Sequence, residues 1–192
     1  DIDGQTLLLN SKVVIIGLGG LGCPVATYLA SSGLGSMLLI DDDFVSLSNL
    51  NRQTLFSEND INKNKVEAAA KRLLELNPDL TINIEESKVD QNFVTNKLKE
   101  YDVIIDCTDN FETRTLINKI SLLHRIPLIT GAALKFEGQV TVFRNDIENE
   151  PCYRCLYPDL PNTKNTCIDS GILGSVTGFV GTILATECIK LL

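Results

Sequence analysis

The chain has 192 residues, 44% of them hydrophobic and 22% charged, which suits one folded domain and excludes wholesale disorder. The 17 Lys and Arg against 25 Asp and Glu give a net charge of -8. That balance argues against broad nucleic-acid binding, which needs a basic footprint, and the single histidine, His124, argues against a Ser-His-Asp triad or a two-His metal site.

In chain order, 12–16 is a β-branched run that ends at Gly17 and reads as a buried strand. Residues 21–32 then show helical spacing through Leu21, Val25, Tyr28 and Leu29, and stop at Gly33. A second strand, 37–40, is closed by Asp41, Asp42 and Asp43. Val66, Ala69, Ala70, Leu73 and Leu74 mark a helix over 65–76, halted by Asn77-Pro78. Further strands are expected at 81–84, 103–106, 128–130 and 139–143, and further helices at 93–98, 112–124 and 173–192. The polar segment 145–170, with three Pro and three Cys, reads as a long loop. Strands alternating with helices predict an α/β fold: a Rossmann-like, doubly wound, largely parallel sheet with helices on both faces.

Six cysteines do not make this a disulfide scaffold, because a chain this long can bury a core without staples. Cys23, Cys107 and Cys188 lie in apolar periodic segments and read as reduced, buried thiols of a cytoplasmic protein. The polar, acidic start at 1–4 lacks a signal-peptide pattern, and the uncharged stretch 170–186 is too short and Gly-rich to span a membrane.

Gly17-Leu18-Gly19-Gly20-Leu21-Gly22 is a GxGxxG loop between the first strand and the first helix. Its glycines allow a tight turn and let phosphate oxygens approach the backbone at a helix N-terminus; otherwise they serve close helix–strand packing. Asp41, 19 residues after Gly22, stands where a carboxylate accepts hydrogen bonds from ribose hydroxyls. The motif alone does not choose between NAD and ATP. The segment Ser48-Asn49-Leu50-Asn51-Arg52-Gln53 and Lys65 bear on that choice, since two cations on one loop suit a polyphosphate being cleaved. The alternative for Arg52 and Lys65 is ordinary solvated charge. The fourth strand leads into Cys107-Thr108-Asp109-Asn110, where a carboxylate could hold Mg²⁺ or either Asp109 or Asn110 could cap the next helix.

The joint pattern GLGGLG, Asp41-x-Asp43-x-Val45-x-x-SNLNRQ, Lys65, CTDN, GAA…EGQ and PCYRC resembles the MoeB/ThiF/HesA family, relatives of the ubiquitin-activating enzyme, from about Gly4 to the last residue. The resemblance implies a single adenylation domain over 1–192 that uses ATP and Mg²⁺ to adenylate the C-terminal glycine of a ubiquitin-like sulfur carrier of the MoaD or ThiS type. It implies that Gly17, Gly19, Gly20 and Gly22 line the nucleotide and that Asp41 binds the ribose. Ser48, Asn49, Leu50, Asn51, Arg52 and Gln53 would flank the phosphates, with Asn49 and Arg52 touching them. Lys65 would neutralise the triphosphate, Asp109 would bind Mg²⁺, and Asn110 would lie beside the nucleotide. Cys152 and Cys155 would be half of a four-Cys zinc site, incomplete in this chain. Cys167 matches a position where some members carry an acyl-accepting cysteine, the alternative being a structural or incidental thiol.

The family commonly opens with an RYxRQ segment and carries a second CxxC; neither is among these 192 residues, so the expectation is a trimmed fragment or a short member. The family is commonly dimeric, and the Gly-rich C-terminal helix suits close packing in a homodimer. Two other functions remain on the residues alone. An NAD-dependent oxidoreductase would explain GxGxxG and Asp41 but leave SNLNRQ, Lys65 and CTDN idle, and a non-catalytic scaffold subunit would not need them.

Overall fold

Each run expected to be a strand is one: β1 (Lys12–Ile16), β2 (Ser36–Ile40), β3 (Thr81–Glu85), β4 (Val103–Asp106), β5 (Leu128–Leu134) and β6 (Glu137–Phe143). They form one sheet in the order β3-β2-β1-β4-β5-β6 in a computed structural model that describes residues 1–90, 93, 95–159 and 171–192. β1 to β5 run parallel, and β6 returns antiparallel beside β5. The helices are α1 (Ile2–Asn10), α2 (Gly22–Ser31), α3 (Lys65–Leu76), α4 (Phe111–His124), α5 (Tyr153–Leu156) and α6 (Gly174–Leu191).

Alternation along β1 splits the core in two. Val13 and Ile15 join Val25 and Leu29 of α2, Val66 and Leu73 of α3 and Leu184 of α6 on one face. Val14 and Ile16 join Ile117 and Ile120 of α4, Leu98 and Tyr153 on the other. The sheet is therefore covered on both sides, as a parallel sheet must be to bury its apolar strands.

The structure corrects the sequence reading in four places. The start of the chain is a helix, α1, capped by the Asp1 carboxylate on the Gly4 N–H at 2.7 Å. The segment expected at 93–98 is a 3-10 helix, Thr95–Glu100. β5 and β6 are longer than expected and join in a hairpin in which Leu134 pairs with Glu137. The expected loop 145–170 contains the helical turn α5, while its part from 160 to 170, including Cys167, lies outside the described residues. No helix among the described residues is long and apolar enough to cross a membrane.

Register places the site. Ile16 lies beside Ile40 and Asp106, Ile40 beside Glu85, and Asp106 beside Thr130. The C-terminal ends of β1, β2 and β4 thus stand level. β1 connects toward β2 on one side while β4 flanks it on the other, and in such sheets ligands bind where the strand order reverses.

Candidate functional site

The glycine loop leaves β1 at this reversal. Gly17 takes φ +92°, a left-handed value, and a Cβ there would lie 3.0 Å from the Cys107 carbonyl oxygen. Gly22 is pressed harder: its Cβ would fall 1.9 Å from the Gly17 carbonyl oxygen. Gly20 packs against Thr177 of α6, which its Cβ would meet at 3.0 Å. Gly19 differs, since a Cβ there would meet nothing within 4 Å. Packing therefore accounts for Gly17, Gly20 and Gly22, whereas Gly19 fronts open space where a phosphate could approach the backbone.

This contrast gives a paired expectation. Gly22→Ala should cost about 3 kcal/mol of stability, because backbone must move to admit the methyl. Gly19→Ala should change stability by no more than about 0.5 kcal/mol yet weaken ATP binding. Thermal unfolding and calorimetry read both; a Gly19→Ala protein that binds ATP like the wild type would place the phosphates elsewhere.

Asp41 closes the loop from the end of β2. Its Oδ2 accepts the Leu18 N–H at 2.6 Å and its Oδ1 accepts the Asp43 N–H at 2.9 Å. Burial pushes the Asp41 carboxyl up, and the Lys65 charge and these two N–H groups oppose that. Each oxygen retains a lone pair for a ribose hydroxyl.

Lys65 is not solvated charge. It is the first residue of α3, is 3% exposed, and donates to Asp43 Oδ2 at 2.8 Å. Asn64 caps that helix on the Val66 N–H. Ser48 and Asn49 belong to the 3-10 turn Leu47–Asn49, and Leu50, Asn51 and Arg52 follow it. Arg52 is partly exposed, and its Nη1 donates to the Ser48 carbonyl oxygen at 3.2 Å and to Asn51 Oδ1 at 3.0 Å. This segment packs under α6, where a Cβ on Gly174 would lie 2.5 Å from the Asn51 carbonyl oxygen. Gln53 is buried, its N–H held by the Asn49 carbonyl at 2.9 Å, and its Oε1 has no hydrogen-bond partner. An orphaned buried acceptor in that motif is the kind of group a ligand satisfies.

After β4 the two alternatives for CTDN separate. Asn110 is the cap of α4, its Oδ1 accepting the Thr113 N–H at 2.8 Å, and Asp109 is exposed and takes no part in the cap. Two residues not assigned a role from the sequence stand behind them. Asp106 is wholly buried; its Oδ1 accepts from the Thr108 N–H and hydroxyl, and its Oδ2 has no partner. Arg114 on α4 donates through Nη2 to the carbonyl oxygens of Thr108 and Gly131. A cation in the first turn of a helix opposes the helix dipole, and that was the available signal for a dedicated partner at Arg114.

Cys152 and Cys155 flank Tyr153, which packs with α4 in the core on that side of the sheet, and their Sγ atoms are 3.8 Å apart. Two thiolates on one zinc tetrahedron, each at ~2.3 Å from the metal, stand about 3.8 Å apart, so the pair fits half of such a site. Among the described residues no group of three or more His, Cys, Asp or Glu completes it. Burial would raise the Cys152 thiol, but hydrogen bonds from Asn118, the Cys155 and Arg154 backbone and the Cys155 side chain outweigh it and bring the pKa down. Cys23 and Cys188 are buried, and burial pushes both up to about 12. At pH ~8 their thiolate fraction is about 10⁻⁴, so iodoacetamide should label exposed Cys155 and half-buried Cys152 in the native protein long before Cys23 or Cys188. Equal labelling read by peptide mass would contradict that burial.

A Rossmann-type sheet with a glycine loop, an acidic second strand end and a buried lysine defines a nucleotide-binding α/β protein. More specifically, the chain belongs to the ThiF family, whose profile matches residues 1–192. It is 45% identical over 193 residues to the adenylyltransferase and sulfurtransferase MOCS3 of Drosophila willistoni, covering 100% of this chain and 42% of that protein. It is 42% identical over 192 residues to the molybdopterin-synthase adenylyltransferase of Salmonella typhimurium, covering 77% of it. To the sulfur carrier protein ThiS adenylyltransferase of Escherichia coli it is 44% identical, covering 76%. Among solved structures, Escherichia coli MccB with ATP superposes with a TM-score of 0.85 at 27% identity, over 99% of this chain and 58% of that one. The chain thus spans less than half of the fly protein and under two thirds of MccB.

Proposed function

We propose that residues 1–192 form one adenylation domain that uses ATP and Mg²⁺ to activate the C-terminal glycine carboxylate of a ubiquitin-like sulfur carrier. The observation that carries the reading is the convergence of the open Gly19 loop, Asp41, buried Lys65 and uncommitted Asp109 at the level ends of β1, β2 and β4. The names of the relatives, adenylyltransferases acting in molybdopterin synthesis and on ThiS, support the same chemistry.

A carboxylate oxygen of the carrier attacks the α-phosphorus. The bond to the bridging oxygen breaks, and pyrophosphate leaves with the electron pair. No general base is needed, because the carboxylate is already ionised at neutral pH. The residues of this chain orient and neutralise: Asp41 takes the ribose, Asn49 and Arg52 face the phosphates, and Lys65 exchanges Asp43 for the triphosphate. Asp109 would hold Mg²⁺, which would offset the charge developing on the leaving group. Cys152 and Cys155 would hold zinc together with ligands beyond the described residues. Adenylation proceeds without a cysteine, so Cys167 enters only in a later acyl transfer. The five unpaired cysteines among the described residues suit a reducing, cytoplasmic setting.

Carrier-dependent ATP–pyrophosphate exchange with MoaD- and ThiS-type carriers tests the reading. Tight NAD binding with no exchange would overturn it. A homodimer is part of the proposal. A groove of about 340 Å³ between the β5–β6 hairpin and α6 is lined by Phe136, Val140, Val176, Phe179 and Ile183, with Phe136 81% and Phe179 68% exposed. Apolar surface of this kind suits a second copy. Sedimentation at about 50 μM should find the dimer, since a micromolar interface is then largely occupied; a monomer would count against it.

A further inference from the structure

We infer that Arg114 is the positioning residue of this site, a clamp that fixes the β4–α4 loop and so presents Asp109; the inference rests on the reading of Asp109 given above. The guanidinium joins three elements. It donates to the Thr108 carbonyl oxygen in the loop and to the Gly131 carbonyl oxygen in β5, the latter at 2.8 Å. Tyr153, buried in the turn between Cys152 and Cys155, feels the Arg114 charge, which opposes the rise that burial gives its phenol.

Asp106 supplies the reason for a cation here. Its carboxyl is wholly buried at the end of β4 and one oxygen lacks any hydrogen-bond partner; burial pushes it up, and the Arg114 charge opposes that. A buried carboxylate without a compensating charge is costly, so the guanidinium is held where Asp106 needs it. A planar guanidinium held in one orientation can serve both carbonyls, which a rotatable ammonium point charge does less well. The loop is consequently pinned one residue before Asp109 by Arg114 and one residue after it by the Asn110 cap. One turn further along α4, Asn118 holds Cys152 Sγ at 3.5 Å and the Tyr153 N–H at 3.1 Å. Asn118 thus ties the CxxC turn to the same helix that carries Arg114.

Arg114 acts through Asp109 and touches no reacting atom. Its loss should loosen Asp109 and leave the glycine loop, Asp41 and Lys65 as they are. In Arg114→Gln, ATP binding measured by calorimetry without metal should match the wild type. The Mg²⁺ concentration for half-maximal pyrophosphate exchange should rise about tenfold or more, as for residues that orient metal ligands. Arg114→Lys keeps the charge beside Asp106 without the fork and should fall between. Hydrogen exchange supplies a readout that needs no activity: the amides of 108–110 should exchange faster in both variants, and those of β1 should not. If Arg114→Gln fails to fold, Arg114→Lys carries the same measurements. Unchanged amide exchange at 108–110 overturns the clamp. Faster amide exchange without a change in Mg²⁺ dependence overturns its link to Asp109. A wild-type protein that shows no exchange with any carrier, yet loses protection at 108–110 in the variants, would sink the functional reading and keep the clamp.

Discussion

Lys65→Met should lower carrier-dependent pyrophosphate exchange by roughly 10²- to 10³-fold, the range seen when one preorganised charge aimed at a developing anion is removed. The protein should remain folded. The argument is the asymmetry of the ion pair: Lys65 is buried, whereas the Asp43 side chain is 70% exposed. Losing Lys65 leaves Asp43 in water, where an unpaired carboxylate costs little, while Asp41 loses an opposing charge but keeps the Leu18 and Asp43 N–H bonds. Methionine fills the space of the lysine stem and removes a buried charge that was expensive to desolvate. Stability should therefore change by no more than about 1 kcal/mol. Activity has no such substitute, because among the described residues no other lysine is buried. Exchange assays and thermal unfolding of the same preparation separate the two effects. A folded Lys65→Met protein with near-normal exchange would remove Lys65 from the phosphate site.

The sheet and its glycine loop were legible because burial on both faces forces continuous apolar runs, such as Val13 to Ile16 in β1, whose ends are marked by glycine or aspartate. α1 was not legible because none of its residues is buried, so no apolar periodicity records it. Tertiary contacts hold it instead: Gln5 Nε2 donates to the Ser32 carbonyl at 3.0 Å and the Gly35 N–H to the Leu8 carbonyl at 3.0 Å. The β5–β6 hairpin turns on Lys135 and Phe136, with Lys135 at φ +54°, and these are not the Asn-Gly or Asp-Gly pairs that advertise a two-residue turn. α5, at four residues, is too short for periodicity to show. At the candidate site, the motif offered Asp41, Lys65 and Asn110 but not their partners. Asp41 binds backbone through both oxygens, and Lys65 spends its charge on Asp43, a residue that the sequence offered only as a motif position. Asp106 was hidden because a carboxylate closing an otherwise apolar strand reads as the strand's end, whereas here it is fully buried.

Asp109→Ala and Asn110→Ala should fail in opposite ways, although the two residues are neighbours. Asn110 satisfies an orphan N–H at the start of α4, so its replacement should cost about 1 kcal/mol of stability. For a domain of this size that is a fall of roughly 2–4 °C in Tm. Asp109 is exposed and makes no capping bond, so Asp109→Ala should leave Tm within about 1 °C of the wild type. Since Asp106 is wholly buried and accepts from Thr108, only the Asp109 carboxylate of the two at this strand end is free to meet a cation from solvent. Removing it should abolish Mg²⁺-dependent exchange, and raising the Mg²⁺ concentration should restore little, because the ligand itself is gone. Asp109→Asn refines the test. It keeps the shape and one oxygen but removes the charge, so a loss nearly as large as in Asp109→Ala would assign the effect to charge on the metal. Paired melting curves and exchange assays decide the matter. If Asp109→Ala melts early and retains exchange, Asp109 is structural and the metal must be held elsewhere.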